Sequence, residues 1–209
     1  MMQRTVKLRG YFDYPDRLQT ISGKVHANFK RACMIEYLAL GGGCFWCTHA
    51  VFTEVRGVVS VESGYCNGQT QAPSYEEVCT GRTGHCEVVK LGFDPSQVSL
   101  QDLLEVFLLI HDPTTLNRQG HDVGTQYRSG IYCTRPEQET QAKALLRQWT
   151  DEGIWNAPVV TEIKPLRNYQ RAEEYHQDFF AKNPTQGYCL AVAAPKVAKF
   201  RKTLSRLQK

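Results

Sequence analysis

The 209-residue sequence has no long apolar run, no internal repeat and no low-complexity segment. Its densest apolar stretch, residues 106–110, is far shorter than the roughly 18 residues of a membrane-spanning helix, so we expect no membrane segment. No apolar h-region follows the basic first residues, and we therefore expect a cytoplasmic protein without a secretory signal. The composition, 42% hydrophobic and 22% charged, is typical of one globular domain with a full core.

Cysteine is plentiful, with eight residues, an even number that would suit a disulfide framework. Such frameworks belong to short secreted domains, and a chain of this length has enough core residues without them. We therefore expect reduced thiols. Reduced cysteines could be catalytic or could bind a metal, and the alternative is that they are inert buried residues.

Positive charge is concentrated at the two ends of the chain. Residues 1–31 hold seven Lys or Arg against two Asp, and residues 196–209 hold six basic residues and no acid. Such ends could bind nucleic acid or a membrane surface, but we favour solvated ends with neither partner. Four residues of the second segment are spaced like one apolar stripe of a helix: Val197, Phe200, Leu204 and Leu207. The C-terminal tail could therefore dock instead on its own domain.

Predicted strands and helices alternate along the chain. Strands are predicted over 35–40, 58–65, 87–93, 126–133 and 159–163, and helices over 44–55, 100–111 and 134–153. The segments 99–102 and 134–137 are predicted to cap the second and third of these helices. The loops are long, notably 112–125, and long loops in a compact domain are often functional. We expect an α+β fold: a two-layer sandwich of helices packed on a mixed β-sheet, with a ferredoxin-like core.

One short segment, LGGGCFWC at residues 40–47, combines a strand end, a glycine turn and a helix start. At a helix N-terminus the free backbone N–H groups and the helix dipole favour a thiolate, so we expect a lowered pKa for Cys44 and a nucleophilic sulfur. The alternative is a structural cysteine packed beneath the turn. No Gly-Lys-Ser/Thr follows the glycines, which excludes a phosphate-binding loop.

Six blocks extend this signal over most of the chain: GCFWC (43–47), SGYCNG (63–68), PSYEEVCTGRTGHCEVV (73–89), HDP (111–113), GTQYRSGIY (124–132) and NPTQGYC (183–189). In type and order they resemble the peptide-methionine (S)-S-oxide reductases, the A-type methionine sulfoxide reductases. We divide the chain into a basic N-terminal extension (1–33), which lacks clear periodicity, a catalytic domain of this type (34–195) and a basic C-terminal tail (196–209) that could be helical.

The resemblance implies reduction of the S-epimer of methionine sulfoxide, free or in proteins. It implies these roles: Cys44 attacks sulfur, Phe45 and Trp46 form a seat for the methyl group, Glu87 supplies a proton, Tyr75 and Tyr127 donate hydrogen bonds to the oxygen, and Asp122 orients the site. Partial burial would raise the pKa of Glu87 and keep it protonated. On local sequence alone, a water-facing glutamate and tyrosines in ordinary core packing are equally good interpretations.

The sulfenic acid left on Cys44 would condense with a second thiol. Many family members carry Gly where this chain has Cys47, and the chain also keeps Cys189, which we place on a glycine-containing tail able to swing to the site. We favour Cys47 slightly and leave Cys189 open. The remaining cysteines are interpreted as inert core residues: Cys33, Cys66, Cys79, Cys86 and Cys133. The resemblance implies thioredoxin as reductant and no metal or organic cofactor, and we expect a monomer.

The sequence leaves four alternative functions open. Cys44 and Cys47 could bind zinc with Cys79, Cys86 and perhaps His85, although the spacing of the second pair is poor for a zinc site. The CxxC pair could serve a thioredoxin-like disulfide oxidoreductase. The basic ends could bind nucleic acid. A Cys–His hydrolase could use one of three histidines as its base: His85, His121 or His176.

Overall fold

The computed structural model describes residues 34–209, so the predicted extension at 1–33, including Cys33, lies outside the described part. The elements follow one another in this order: β1 (Glu36–Gly41), α1 (Phe45–Phe52), β2 (Val58–Cys66), α2 (Tyr75–Cys79), β3 (Cys86–Phe93), α3 (Leu100–Ile110), β4 (Arg118–Gln119), β5 (Asp122–Val123), β6 (Gly130–Cys133), α4 (Pro136–Asp151), β7 (Glu162–Pro165), β8 (Gln170–Arg171), α5 (Phe179–Lys182) and α6 (Ala194–Thr203). Helices α1, α3, α4 and α6 provide most of the helix layer.

The six-stranded sheet has the order β7-β6-β1-β3-β2-β8. Its four central strands are antiparallel and, with α1 and α3, form a β-α-β-β-α-β unit of the ferredoxin-like type. Strand β7 adds to one edge in parallel and β8 to the other edge in antiparallel orientation. The prediction of a mixed sheet with helices packed on it is confirmed.

Strand β3 alternates between the two faces of the sheet, as the two-residue period of a strand requires. Val89 and Leu91 belong to the main core beneath the helices, whereas Val88 belongs to a smaller cluster on the opposite face that Tyr169 covers. Glu87 has the parity of Val89 and Leu91. Its carboxyl group is therefore directed towards the helix layer and away from the loop-covered face.

Helix α3 begins where its local sequence signals predict. The Ser99 Oγ accepts a hydrogen bond from the Asp102 N–H (3.0 Å), and Asp102 Oδ2 accepts one from the Ser99 N–H (3.2 Å). This reciprocal capping box satisfies two free N–H groups of the first turn. Leu103 and Phe107 are fully buried, and each such side chain contributes about 1.5–3 kcal/mol to folding. The helix ends at Ile110, one residue before the predicted end.

The C-terminal segment is not a solvated tail, and our favoured interpretation of it was wrong. Helix α6 begins at Ala194, so the predicted boundary between 195 and 196 falls inside the helix. Val197, Phe200 and Leu207 are all buried in the main core. The apolar stripe docks because burying three such side chains outweighs keeping the basic face fully in water.

Three predicted boundaries changed because tertiary contacts replaced local signals. The strand predicted over 126–133 begins as a 3-10 helix, Thr125–Tyr127, and becomes β6 only at Gly130. The last predicted strand, 159–163, is β7 and begins at Glu162. Thr134 does not cap α4, because its hydroxyl donates instead to the Tyr37 carbonyl oxygen of β1 (2.6 Å).

Hydropathy along the helices gives one further result. No helix within residues 34–209 is both long enough and apolar enough to cross a bilayer.

Candidate active site

Gly43 forms the turn that brings Cys44 to helix α1. Its φ of +86° lies in the left-handed region, and a Cβ at this position would lie 2.6 Å from the Gln119 Cβ. Cys44 follows as the N-cap residue of α1. The first N–H groups of a helix have no intrahelical partner. The predicted position of Cys44 at a helix N-terminus is confirmed.

The predicted acidity of Cys44 is wrong for the substrate-free site. Cys44 is only 8% exposed. Burial raises the pKa of its thiol well above the usual value, and the Cys47 hydrogen bond and the Glu87 carboxyl group raise it further. Removing a thiolate from water therefore costs more than the helix N-terminus recovers.

Cys47 lies one helical turn beyond Cys44 and is fully buried. Its N–H donates to the Cys44 carbonyl oxygen (3.2 Å). The two side chains are also hydrogen-bonded, and this bond lowers the pKa of Cys47; burial opposes it, while Lys196 and Tyr188 lower the pKa further. Of the two thiols, Cys47 ionises more readily and Cys44 holds the proton.

Glu87 provides a buried carboxyl group next to this thiol pair. It is 1% exposed on the helix-facing side of β3. Burial raises its pKa to about 8. The Phe45 N–H donates to Glu87 Oε2 (3.3 Å), which partly counters the rise, whereas Asp122 and Cys47 add to it. The predicted upward pKa shift is confirmed, and the carboxyl group carries a proton at neutral pH.

Aromatic rings surround the two residues after Cys44. Phe45 is 1% exposed, and its ring centroid lies 5.0 Å from that of His176 and 5.8 Å from that of Tyr65. Trp46 is half-buried and stacks on Phe179 with centroids 3.7 Å apart and ring planes at 7°. Offset and tilted aromatic packing of this kind forms a rigid apolar wall.

His176 lies between this aromatic wall and the carboxylate of Glu173. The Trp46 Nε1–H donates to His176 Nδ1 (3.0 Å). Since an indole can only donate, the ring proton of a neutral His176 lies on Nε2. Nε2 has no hydrogen-bond partner among residues 34–209 and lies 3.8 Å from Glu173 Oε2. The sequence suggests His176 only as a candidate hydrolase base, and nothing in its local pattern predicts this bond to Trp46.

The Glu173 carboxylate also fixes the position of Tyr75. Its N–H donates to Glu173 Oε1 (2.9 Å), and the Tyr65 hydroxyl donates to Oε2 (2.8 Å). The Tyr75 side chain is hydrogen-bonded to Cys79, and its ring centroid lies 4.5 Å from that of His176. Burial raises the pKa of Tyr75, so its hydroxyl remains a hydrogen-bond donor at neutral pH.

Tyr127 and Asp122 complete the site from the loop between α3 and β6. The Tyr188 hydroxyl donates to Asp122 Oδ2 (2.7 Å). Burial raises the pKa of Tyr127, and the nearby charges of Glu87, Cys44 and Asp122 add to this rise. The structure thus brings the predicted site residues into one cluster. Tyr188 was missed as a site residue, although it precedes Cys189 in the quoted block.

Cys189 does not lie on a free tail, and that prediction was wrong. It begins a π-helix, Cys189–Ala193, directly before α6 and is fully buried. Ala193, at the end of that π-helix, packs in one cluster with Cys44 and Cys47. Cys189 is close enough to Cys47 for the charge of Cys47 to raise its pKa, but the thiol that hydrogen-bonds Cys44 is Cys47.

The other described cysteines divide into two groups. Cys66, Cys86 and Cys133 are buried free thiols with pKa values raised by burial, as expected of inert residues. Cys79 is exposed, so its interpretation as a core residue was wrong. It lies in the short helix α2 with only Val78 of that helix buried.

The rival sites are not assembled. Within residues 34–209, no group of three or more His, Cys, Asp or Glu side chains is arranged to hold a metal ion, so the proposed zinc set does not come together. None of the three candidate hydrolase bases has a hydrogen bond to Cys44 among those found within residues 34–209: His176 accepts from Trp46, His85 Nε2 bonds the Thr70 carbonyl oxygen (2.7 Å), and His121 is exposed.

Comparison with known proteins gives one consistent result. Residues 36–208 match the family described as peptide methionine sulfoxide reductase. The chain is 50% identical to a peptide methionine sulfoxide reductase MsrA of Trichodesmium erythraeum over 81% of this chain and 96% of that protein, and 54% identical to one of Polynucleobacter asymbioticus over 80% and 88%. Among solved structures, methionine sulfoxide reductase A of Corynebacterium diphtheriae is 38% identical, with a TM-score of 0.68 over 73% of this chain and 76% of that one. Reduced Mxr1 of Saccharomyces cerevisiae is 34% identical, with a TM-score of 0.68 over 74% and 89%.

Proposed function

The chain belongs to the peptide methionine sulfoxide reductase family, and from this premise we propose how its residues carry out the reaction. The substrate is the S-epimer of methionine sulfoxide, free or in a protein. Cys44 attacks the sulfoxide sulfur, Glu87 protonates the oxygen, and Cys47 closes a disulfide with Cys44. An external dithiol then restores the two thiols.

The observation that carries this proposal is the protonated carboxyl group next to the thiol pair. Glu87 is buried, and its pKa is raised to about 8. A sulfoxide oxygen gains negative charge when its sulfur is attacked, so a proton donor held close to Cys44 stabilises that charge. A glutamate facing water would be ionised at neutral pH and could not donate.

The arrangement also supports a route for the Cys44 proton. Cys44 holds the proton in the resting pair, and Cys47 is the more readily ionised thiol. As Cys44 attacks, its proton passes to Cys47 across their hydrogen bond. The sulfoxide sulfur gains two electrons and leaves as the thioether of methionine. The S–O bond of the sulfoxide breaks, and the Cys44 sulfur loses two electrons and takes up the oxygen as a sulfenic acid.

Two sets of side chains support selection of the substrate. Phe45 and Trp46 offer an apolar seat for the methyl group, and the stacked Phe179 holds the indole in place. Tyr75 and Tyr127 remain protonated because burial raises their pKa values, so both can donate to the sulfoxide oxygen. A seat for methyl on one side and donors for oxygen on the other would distinguish the two epimers.

Cys47 is the better candidate for closing the disulfide. It already hydrogen-bonds Cys44, whereas Cys189 is held in a helical segment. Its attack on the sulfenic acid forms the S–S bond and breaks the S–O bond, and the departing oxygen takes up protons to leave as water.

Recycling requires a reductant that opens the disulfide. We propose thioredoxin in this role, because a dithiol protein exchanges with disulfides through a mixed intermediate. The chemistry needs no metal or organic cofactor. We further propose a monomeric cytoplasmic enzyme that acts on oxidised proteins and on the free amino-acid sulfoxide, without a nucleic-acid or membrane partner.

The test is disulfide mapping by mass spectrometry after one equivalent of methionine (S)-sulfoxide, with the remaining thiols trapped. We expect a Cys44–Cys47 link in the wild type and in Cys189→Ser, and no turnover in Cys44→Ser. A Cys44–Cys189 link in the wild type would refute the role of Cys47. Full activity of Cys44→Ser would refute the reaction as written.

A further inference from the structure

Lys196 lies on the inward-facing side of helix α6. Residues three and four apart share one side of a helix, and Ala193, Val197 and Phe200 mark the buried side here. Lys196 stands between them, three residues after Ala193 and four before Phe200, and is half-buried. Ala193 packs in one cluster with Cys44 and Cys47, so Lys196 is one helical turn from a residue that contacts the thiol pair.

The charge of Lys196 is not taken up by a carboxylate. Two other basic residues of α6 have polar partners: Lys199 Nζ donates to the Leu109 carbonyl oxygen (2.8 Å), and Arg201 forms an ion pair with Glu54 (2.6 Å). Lys196 makes no hydrogen bond or ion pair with any residue in 34–209. Its positive field acts on Cys47, and it also helps to lower the pKa of His111.

Reduction of the sulfoxide, the first half-reaction, changes which groups stabilise the Cys47 thiolate. In the resting pair, the hydrogen bond from the Cys44 thiol lowers its pKa most, followed by the positive charge of Lys196 and the Tyr188 hydrogen bond, whereas burial and the charge of Asp122 raise it. Once Cys44 is a sulfenic acid, that thiol proton donor no longer exists. Lys196 is then the main cationic group that remains next to Cys47, at the step in which Cys47 must act as a nucleophile.

We propose that the Lys196 ammonium group holds Cys47 as a thiolate after Cys44 has become a sulfenic acid, and that it thereby sets the rate of disulfide closure. Lys196 is a positioning residue that acts through Cys47. Cys47, which took up the Cys44 proton in the first step, passes that proton to the Glu87 carboxylate. The Cys47 thiolate then attacks the Cys44 sulfur, the S–S bond forms as the S–O bond breaks, and the departing hydroxide takes the proton from Glu87 and leaves as water. The Cys44 sulfur is reduced and the Cys47 sulfur is oxidised. This inference rests on the proposed role of Cys47.

The expected effect has a characteristic pH dependence. If removing the lysine charge raises the pKa of Cys47 by about one unit, the thiolate fraction below that pKa falls about tenfold. The remaining thiolate is a better nucleophile by about threefold, because nucleophilicity rises with basicity. Lys196→Gln should therefore close the disulfide about threefold more slowly at neutral pH and about threefold faster in strong alkali.

Rapid-quench mass spectrometry after one equivalent of methionine (S)-sulfoxide would follow the sulfenic acid and the disulfide across pH. Lys196→Arg keeps the charge and should retain the wild-type profile. Lys202→Gln removes a charge from an exposed position of the same helix and should also retain it. The pH profile, with its crossover, would not result from a merely structural effect of the substitution.

A second measurement covers variants that turn over poorly. Thiolate absorbance at 240 nm, taken as the difference between Cys44→Ala and Cys44→Ala/Cys47→Ser, reports the titration of Cys47 alone. Adding Lys196→Gln should move that titration to higher pH. A Cys44–Cys47 disulfide that forms with an unchanged profile, or an unmoved titration, would overturn the role of Lys196 only. A Cys44–Cys189 disulfide would overturn the role of Cys47 and this inference together.

Discussion

The substitution Glu87→Gln tests the proton donor directly. Glutamine has nearly the same size and can still accept from the Phe45 N–H, which lies 3.3 Å from Glu87 Oε2, but it has no acidic proton to transfer. General acid catalysis typically contributes 10²- to 10⁴-fold to a rate. We therefore expect the single-turnover rate of sulfoxide reduction at pH 7 to fall by about 10²- to 10⁴-fold.

The same variant should change the pH profile. Because the pKa of Glu87 is raised to about 8, the wild-type carboxyl group is protonated below that value and loses its proton above it. The wild-type rate of the reductive step should therefore fall as pH rises through about 8. Glu87→Gln should lack this decline. Methionine released in a single turnover, measured by chromatography between about pH 5 and 10, reports both quantities.

Stability provides an independent measure of the same group. An unfolded glutamate titrates near 4.5, and the folded one near 8. Between these values the folded state alone binds the proton, so the free energy of unfolding falls as pH rises. At about 1.4 kcal/mol per pKa unit, the loss is about 5 kcal/mol at most. Glu87→Gln should lack this contribution. In urea unfolding, the stability of the variant relative to the wild type should therefore be higher at about pH 9 than at about pH 5.

Two results would refute this reasoning. One is a Glu87→Gln enzyme that reduces sulfoxide at the wild-type rate and keeps the decline above neutral pH. The other is an equal loss of rate in Glu76→Gln, which removes an exposed carboxylate on α2 and serves as the matched control.

Two further predictions concern the aromatic wall and the C-terminal helix. Trp46→Phe removes the donor to His176 Nδ1. Since a hydrogen bond contributes about 1 kcal/mol, KM for methionine sulfoxide should rise about fivefold, and an unchanged KM would show that this bond does not hold the methyl seat in place. Phe200→Ala removes a fully buried ring from α6 and should lower the free energy of unfolding by about 3–5 kcal/mol in urea titration, whereas exposed Lys202→Ala should change it by less than about 0.5 kcal/mol.

Local signals were sufficient for much of the fold and for part of the site. The Ser99 capping box predicted the start of α3, and the strand–glycine–helix pattern predicted Cys44 at the start of α1. The two-residue alternation of β3 places Glu87 on the same face as Val89 and Leu91, although the sequence alone left open whether its carboxyl group is buried. These features depend on residues that are adjacent in the sequence, so a reader of the sequence can derive them.

Only the tertiary structure decided the acidity of the site. The helix N-terminus predicts a lower pKa for Cys44, but burial and the carboxyl group of Glu87, contributed by another strand, raise it. The sequence also could not decide between a docked and a solvated C-terminal segment, and α6 brings Lys196 to the thiol pair only through that docking. Desolvation and Coulomb interactions depend on distances between segments far apart in the chain, and those distances exist only once the chain has folded.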